Sequence, residues 1–500
     1  MFSLKMLLSP IKVGNLELRN RVVLTPAGTN DCAGPEYFVS ERLIAYHEAR
    51  AKGGCGLNIV EVTSIEPRAC SIVGAPAIWS DAHIPGWRAL AKAVHAHGGK
   101  IFPQLAHNGR QTTSALIGGR EIIGPSAHPA PSNMEVPHEL TVEEIEELYE
   151  FYAEAARRAR EAGLDGVEIH SAHDYLPSQF LSAISNKRTD EYGGTLEART
   201  KFTVNILKNV RAKVGPDFTV GVRIVGREVY KGGRTTAETQ VVARILEEAG
   251  YDYISISGGI IQNADIMVAA IGTPPGTWVE DSAAVKQVVN VPILVASQLG
   301  DPHFAELVLE QGKADLIGML RSQWAEPELV KKAATGRFDD ICPCTYCWTC
   351  LETMAMGEAA QCQVNPAFGR ECEPGWGTLI PAEKPKKVMV VGGGPGGLEA
   401  ARVAALRGHE VSLYDKADRL GGQLHLACIP PGMQVYATVV KYLATQVKKA
   451  GVSVNLNTEV SPELVDQVKP DVIIVATGAQ PLIPDIKRDS LRVSTRFEGG

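Results

Sequence analysis

The 500-residue chain contains no uninterrupted run of 18 apolar residues, so no transmembrane helix is expected. It also lacks an excess of basic residues: 50 Lys and Arg stand against 57 Asp and Glu, which argues against a nucleic-acid partner. The N-terminal segment has one Lys and only a brief apolar patch before Pro10, unlike a secretory signal peptide. With 45% hydrophobic and 21% charged residues, the composition is that of a globular protein rather than a disordered one.

Cysteine is scarce over most of the chain and concentrated in one segment. Only three of the ten cysteines precede residue 342, whereas six lie between Cys342 and Cys372. An extracellular disulfide framework distributes its cysteines through a short chain. The clustering therefore predicts a metal or iron–sulfur site in a reducing compartment, and we expect a cytoplasmic protein without membrane association.

One pattern repeats through the first 330 residues: a short apolar candidate strand is followed by an amphipathic helical stretch. The candidate strands are residues 21–27, 56–64, 100–106, 166–172, 219–225, 253–259, 292–297 and 315–320. The clearest helix covers 140–163, where Thr141 and Glu144 have the spacing of a capping box and Gly163 is the last residue. Eight strands that alternate with helices favour an α/β fold of the (β/α)8 TIM-barrel type, with a large open doubly wound sheet as the alternative.

The remaining third of the chain has two parts of different character. Residues 341–375 are rich in cysteine and show no hydrophobic periodicity. Residues 386–415 predict a strand, a glycine-rich loop, a helix and a second strand. We therefore expect three regions: a barrel at 1–335, a cysteine segment at 336–375 and a partial Rossmann-like dinucleotide-binding domain at 376–500.

Polar side chains occupy the carboxyl ends of several candidate strands, where the active site of such a barrel lies. They are Gln104, His107, Arg110, His170, His173, Tyr175, Arg223, Ser297, Gln298 and Arg321. Each alone is more often a structural partner than a functional residue, but their convergence on one rim favours a site. Their chemistry suits a flavin mononucleotide, because Gln104 offers amide donors and acceptors and Arg223 offers a positive charge. The loops after the seventh and eighth strands suit its phosphate.

Four stretches of residues 7–330 have a distinctive sequence: LLSPIKVGNLELRNRVVLTPAGTN, ARAKGGCGLNIVEVTSIEP, FPQLAHNGRQ and, most specifically, DGVEIHSAHDYLPSQFLSAISNKRTDEYGGTLEAR. By these stretches, residues 7–330 resemble the old yellow enzyme family of flavin barrels. The whole chain is similar to the iron–sulfur branch, which includes 2,4-dienoyl-CoA reductase and trimethylamine dehydrogenase. The resemblance implies a TIM barrel that binds FMN and an enzyme that reduces C=C bonds.

The resemblance also implies a role for each matching residue. The residues implied to bind FMN are Pro26, Ala27, Gly28, Gln104, Arg223, Ser297, Gln298, Leu320 and Arg321, the last four around the phosphate. His170 and His173 match the pair that holds a substrate carbonyl oxygen, and Tyr175 matches the proton donor to carbon. Two departures concern the phosphate, since Ser297-Gln298 replaces Gly followed by Arg or Asn, and Leu320 replaces a small residue.

Four cysteines have the spacing of a ligand set. Cys344, Cys347, Cys350 and Cys362 are separated by two, two and eleven residues. This spacing alone fits a [4Fe–4S] cluster and a structural zinc site about equally. The resemblance implies the [4Fe–4S] cluster, because the segment follows the flavin barrel and precedes QVNPAFGRE. A cluster placed between two flavins would pass single electrons.

The stretch GGGPGG follows a candidate strand and opens a helix, as the dinucleotide-binding fingerprint requires. Its backbone N–H groups can hold a pyrophosphate, and an acidic residue at the end of the next strand can bind ribose hydroxyls. RLGGQL at 419–424 and VIIVATGAQP at 472–481 resemble the motifs of FAD-binding flavoprotein reductases. The cofactor-binding candidates here are Gly392, Gly394, Gly397, Asp415, Gly422, Gln423 and Thr477.

The relatives that the resemblance suggests continue with a second dinucleotide fold for NAD(P)H, whereas this sequence ends at Gly500. We therefore expect weak FAD binding. Three explanations stay open: a partner chain completes the domain, the gene is shortened, or electrons enter by a route other than NAD(P)H.

The leading interpretation is an FMN- and iron–sulfur-dependent oxidoreductase that reduces, or reversibly desaturates, the C=C bond of an α,β-unsaturated carbonyl compound. Tyr175 would protonate carbon while two imidazoles stabilise the oxyanion. The alternatives are an amine dehydrogenase of the trimethylamine dehydrogenase type and an electron-transfer subunit. The partners implied are a small-molecule substrate, an electron-donor protein or completing chain, and a second copy in a homo-oligomer.

Overall fold

The computed structural model describes residues 4–30, 33–34, 37–70 and 74–479. The described parts of Met1–Ile380 and Ala427–Thr445 form one compact unit, and those of Pro381–Leu426 and Gln446–Gly500 form a second. Residues 480 and 481 of the predicted FAD motif lie outside the described residues. None of the described helices is long and apolar enough to cross a membrane.

The larger unit is built around a closed barrel of eight parallel strands. The strands are β1 Val22–Leu24, β2 Leu57–Ser64, β3 Lys100–Ala106, β4 Gly166–Ser171, β5 Thr219–Val225, β6 Tyr253–Ser257, β7 Ile293–Ala296 and β8 Leu316–Gly318. Pairing of β8 with β1, Ile317 opposite Val22, closes the ring. This closure confirms the predicted TIM barrel and rejects the open doubly wound sheet.

The strands match the predicted apolar runs because both of their faces are buried. Three strands end at least two residues earlier than predicted. Strand β1 stops before Pro26, which has no N–H for a ladder, and β6 stops before Gly258. Strand β8 stops at Gly318 because the helix Leu320–Ala325 begins two residues later.

Helices surround the barrel. Their bounds are Glu41–Lys52, Ile84–His95, Val142–Glu161, Leu196–Val214, Thr236–Ala249, Val279–Lys286, Pro302–Glu310, Leu320–Ala325 and Leu329–Ala334. The helix Val142–Glu161 begins with the predicted capping box. The Thr141 hydroxyl accepts a hydrogen bond from the N–H of Glu144, whose carboxylate accepts one from the N–H of Thr141.

The hydrophobic cores determine which end of the barrel is open. The main core lies between strands and helices and includes the fully buried Trp87, Tyr152 and Phe202. A second core, with Phe102 and Tyr253, fills the amino end of the barrel beneath the hairpin Ile11–Val13 and Leu16–Leu18. The carboxyl end of the barrel is therefore where a ligand can enter.

The smaller unit has a four-stranded parallel sheet in the order β11-β10-β9-β12. Its strands are β9 Lys387–Val391, β10 Glu410–Tyr414, β11 Ser453–Asn455 and β12 Val472–Val475. The helix Pro395–Leu406 joins β9 to β10, as predicted, and Pro462–Val468 precedes β12.

Five further helices are described in the chain as a whole. They cover Leu176–Leu181, Ala264–Met267, Thr349–Ala355, Leu424–Ala427 and Val435–Lys449.

Candidate active site

One cavity lies at the carboxyl ends of the barrel strands. Its lining includes every barrel residue that the sequence nominated for flavin or substrate: Pro26, Ala27, Gly28, Gln104, His170, His173, Tyr175, Arg223, Ser297, Gln298, Leu320 and Arg321. Met267 and Val268 line it from the loop after β6, and Leu351 and Met354 line it from the cysteine segment. No Asp or Glu of the described chain is among the lining residues.

Two other residues predicted at the carboxyl ends of the strands, His107 and Arg110, do not line this cavity. His107 Nε2 lies 2.9 Å from a carboxylate oxygen of the buried Glu66, and its Nδ1 accepts a hydrogen bond from the N–H of Gly109. Arg110 is directed to the buried Asp174. Both side chains therefore support the walls of the site.

The turn after β4 directs His173 and Tyr175 into the cavity. His173 and Asp174 have φ angles of 62° and 65°, a left-handed conformation that is uncommon for residues other than glycine. The Asp174 carboxylate holds this turn by accepting hydrogen bonds from Arg110 Nε and Nη2 at 2.9–3.1 Å, and from the amides of Gln111 and Gln262. Tyr175 then begins the helix Leu176–Leu181.

The three predicted catalytic side chains come together. The ring centroid of His170 lies 5.2 Å from that of His173 and 4.7 Å from that of Tyr175, both in edge-to-face arrangements. Burial and the charge of Arg223 lower the pKa of both histidines well below 6.5, and the neighbouring His173 lowers the pKa of His170 further. Burial raises the pKa of Tyr175 to about 12. At neutral pH the site therefore holds two neutral imidazoles and a protonated phenol.

Hydrogen bonds inside the barrel position Gln104. Its amide donates to one oxygen of Glu168 at 2.8 Å, and the hydroxyl of Tyr253 donates to the other at 2.9 Å. Burial raises the pKa of Glu168, and the nearby Arg223 opposes that shift. The sequence did not lead us to predict Glu168 as part of the site. A carboxylate inside the apolar strand GVEIH indicates a buried polar partner, because buried charges require partners.

Several polar atoms around the cavity have no hydrogen-bond partner among the described residues. Nε and Nη1 of Arg223, Nδ1 of His170 and Nη1 of Arg321 are buried and make no hydrogen bond to the part of the chain that the structure describes. Buried donors are normally satisfied. Two arginines that line one cavity with such guanidinium nitrogens fit a ligand with a polar ring edge and an anionic group, which are the features of FMN.

Side chains expected around the phosphate also hold the loop after β6. The Gln298 amide donates to the carbonyls of Ala269 and Ala270 at 3.0 and 2.9 Å, and Arg321 Nη2 donates to Ala269 at 2.7 Å. The Ser297 hydroxyl accepts a hydrogen bond from the N–H of Trp278. These contacts leave Nη1 of Arg321 to hold an anion.

The four predicted ligand cysteines line a second, smaller cavity: Cys344, Cys347, Cys350 and Cys362. Within the described residues, no group of three or more His, Cys, Asp or Glu side chains is arranged to hold a metal ion. Arg321, Trp324, Tyr346 and Cys350 line both this cavity and the barrel cavity. A single layer of side chains therefore separates the two.

The glycine-rich loop of the smaller unit is closely packed. A Cβ on Gly397 would lie 1.9 Å from the carbonyl oxygen of Gly392, and one on Gly422 would lie 2.9 Å from Cα of Gly394. The Asp415 carboxylate accepts a hydrogen bond from the N–H of Gly393 at 2.5 Å.

The other predicted residues of this unit lie at the same edge of its sheet. The Gln423 amide donates to the carbonyl of Ala479, two residues beyond Thr477. A Cβ on Gly392 would meet the carbonyl of Ala476, which immediately follows β12. The seven nominated residues thus surround the carboxyl ends of β9, β10 and β12, where open α/β sheets bind ligands.

Comparisons with known proteins extend over nearly the whole chain. Residues 6–340 match the family described as NADH:flavin oxidoreductase / NADH oxidase, and residues 386–497 match that of pyridine nucleotide-disulphide oxidoreductases. A metal reductase of Desulforamulus reducens is 39% identical over 97% of this chain and 72% of its own length. An N,N-dimethylglycine/sarcosine dehydrogenase of Chromohalobacter salexigens is 37% identical over 96% of this chain and 70% of its own.

A solved structure gives the same result. The structure of a 2-naphthoyl-CoA reductase in complex with 2-naphthoyl-CoA is similar with a TM-score of 0.93 and 34% identity. The match covers 97% of this chain and 76% of that one. Similarity therefore includes the barrel, the cysteine segment and the smaller unit.

Proposed function

The chain belongs to the NADH:flavin oxidoreductase / NADH oxidase family, and we propose that it uses bound FMN to reduce the C=C bond of an α,β-unsaturated carbonyl compound. Membership confirms the expected resemblance to the iron–sulfur branch of the old yellow enzyme family and a flavin-dependent oxidoreductase activity. One observation carries the choice of substrate class: two neutral imidazoles and a protonated phenol meet in a cavity that no carboxylate of the described residues lines.

These side chains supply what the reaction requires of the protein. The substrate carbonyl oxygen gains negative charge as the double bond is reduced, and N–H donors of His170 and His173 can stabilise that charge. Tyr175 keeps its proton until it is delivered to the α-carbon. Gln104 and Arg223 would hold the flavin ring and Arg321 its phosphate. When bound, FMN supplies the hydride for the β-carbon.

The four cysteines are proposed to hold a [4Fe–4S] cluster. Their thiols line one cavity that shares a wall with the barrel cavity, which is a suitable place for an electron carrier. The loop after β9 is proposed to hold a dinucleotide, either FAD or the NAD(P)H that would donate electrons. We assign FMN to the region 1–335, the [4Fe–4S] cluster to 336–375 and the dinucleotide to 376–500.

The electrostatics of the cavity distinguish the proposal from amine oxidation. A cationic amine is stabilised by carboxylates or by the faces of aromatic rings. Aromatic rings do line this cavity, including those of Trp278 and Trp324, but Arg223 and Arg321 add positive charge and no carboxylate of the described residues lines it. A neutral or anionic carbonyl compound is therefore the better match, although a relative named for amine dehydrogenation is 37% identical.

The test is an anaerobic comparison of two substrate classes on the flavin-loaded enzyme. Reduced enzyme is mixed with a cyclic enone or an enoyl-CoA thioester, and oxidised enzyme is mixed with a secondary or tertiary amine. We expect the unsaturated carbonyl compound to reoxidise the flavin, followed by its visible absorbance, and the amine to leave the flavin oxidised. Flavin reduction by the amine without reoxidation by either carbonyl compound would establish the alternative.

Variants assign the chemistry to residues. The change Tyr175→Phe removes the proton donor and is expected to slow reoxidation by about 10²-fold or more, which is the usual contribution of a general acid. The matched control is Tyr251→Phe, since Tyr251 is fully buried but its hydroxyl donates to the carbonyl of Thr203 outside the cavity. Equal rates in both variants would remove Tyr175 from the reaction.

A further inference from the structure

Ser257, the last residue of β6, contacts side chains proposed to bind substrate and flavin in the barrel cavity. Its side chain is buried and lines the cavity. Its hydroxyl oxygen lies 2.7 Å from Nε2 of His173 and accepts a hydrogen bond from Nη2 of Arg223 at 3.3 Å. The same hydroxyl thus contacts a histidine proposed to bind substrate and the arginine proposed to bind the flavin ring.

The donors available fix the direction of one of these hydrogen bonds and leave the other open. A guanidinium can only donate, so the oxygen of Ser257 is the acceptor towards Arg223. The hydroxyl proton then has His173 Nε2 as an acceptor at 2.7 Å. In a chain of this direction each bond polarises the next one, which strengthens both. A neutral imidazole carries one ring proton, so Nε2 as acceptor requires the proton on Nδ1.

We propose that Ser257 is a positioning residue that fixes His173 as the Nδ1–H tautomer and thereby determines which ring nitrogen donates to the substrate oxygen. This inference rests on the proposed function, because it takes His173 to bind that oxygen. The opposite arrangement, in which Nε2–H donates to Ser257, would leave the unprotonated Nδ1 as the other ring nitrogen. An unprotonated nitrogen cannot donate a hydrogen bond to a carbonyl oxygen.

The backbone does not depend on this hydroxyl. The carbonyl of Ser257 accepts a hydrogen bond from the N–H of Gly226 at 2.8 Å, and this bond persists in an alanine variant. The backbone of His173 is paired in a bridge with Ile260. Removing the hydroxyl should therefore release the imidazole tautomer without moving either chain segment.

The direct experiment is nitrogen NMR on flavin-loaded enzyme labelled with 15N-histidine. The signals of His173 are assigned by their loss in His173→Gln. We expect the protonated nitrogen to be Nδ1 in the unaltered enzyme and in Ser257→Thr, which retains the hydroxyl. In Ser257→Ala we expect a mixture of tautomers.

The kinetic experiment uses the same variants with an unsaturated carbonyl substrate. We expect kcat of Ser257→Ala to fall on the order of tenfold, as one hydrogen bond is worth, and Ser257→Thr to restore most of it. The control is Ser255→Ala, which deletes a buried hydroxyl two residues earlier on β6, outside the cavity lining, and should leave kcat unchanged.

The outcomes separate this inference from the proposed function. An Nε2–H tautomer in the unaltered enzyme would overturn the inference, as would a tautomer and a kcat that Ser257→Ala leaves unchanged. A shifted tautomer with an unchanged kcat would overturn the functional role of Ser257. Failure of the unaltered enzyme to reduce any unsaturated carbonyl compound would instead reject the proposed function, and the NMR measurement, which needs no substrate, is unaffected by it.

Discussion

The change Asp174→Asn tests whether a buried ion pair holds the catalytic turn. The side chains of Arg110 and Asp174 are 1% and 4% exposed, and the carboxylate accepts three hydrogen bonds from the guanidinium. Asparagine tolerates positive φ about as well as aspartate, so the substitution adds no backbone strain. Its effect is therefore electrostatic: the buried charge of Arg110 loses its counter-ion.

The expected magnitude follows from the burial of the pair. Breaking a buried ion pair by neutralising one partner costs ~3–5 kcal/mol. The Nη1 atom of Arg110 still donates to the carbonyls of His128 and Pro129, so we expect the lower end of that range. If ~3 kcal/mol is lost from the state that holds His173 and Tyr175 in place, the competent fraction falls by up to ~10²-fold.

Two assays measure these quantities. Thermal unfolding of the flavin-loaded enzyme should show a clear loss of stability, and the rate of flavin reoxidation should fall by one to two orders of magnitude. The double variant Arg110→Met/Asp174→Asn removes the uncompensated charge and should recover part of the stability. As a control, Glu280→Gln breaks an exposed ion pair with Lys313 and should change neither quantity.

A single result would refute the reasoning. If Asp174→Asn changed stability and rate no more than Glu280→Gln does, the ion pair would not hold the turn. The left-handed conformation would then depend on the neighbouring backbone contacts alone.

Three further predictions concern other parts of the chain. Gly397→Ala should abolish dinucleotide binding, measured by titration, because the added Cβ would lie 1.9 Å from a carbonyl oxygen. In the control Gly396→Ala the added Cβ would have no atom within 4 Å, so this variant should bind the dinucleotide normally. Cys347→Ser should lose bound iron and its electron paramagnetic resonance signal, whereas Cys372→Ser, at an exposed thiol, should keep both. The pKa values of His170 and His173 lie well below 6.5 in the folded protein, so at acidic pH these two residues bind more protons in the unfolded chain than in the folded one. Thermal stability should therefore decrease below about pH 6.5. Replacing either histidine by Asn should make that decrease smaller.

Much of the architecture could be predicted because its signals are local. The eight strands are continuous apolar runs, since each is buried on both faces, and the capping box of Val142–Glu161 is a pattern of four neighbouring residues. Glycines that open the helix Pro395–Leu406 are equally visible. The positions of His170, His173 and Tyr175 followed from one short stretch at the end of β4, because a strand end and the turn after it place their side chains at one end of the barrel.

The tertiary structure decided what depends on contacts between distant segments. Closure of β8 onto β1 joins residues nearly 300 positions apart, so strand spacing could not distinguish a barrel from an open sheet. The contacts of His173 with Ser257 and of Gln104 with Glu168 span 84 and 64 residues. Sequence by itself determined which residue types meet at the rim, because strand ends converge by topology. Hydrogen-bond direction and protonation depend on burial and on partners from other strands, and only the folded chain brings these together.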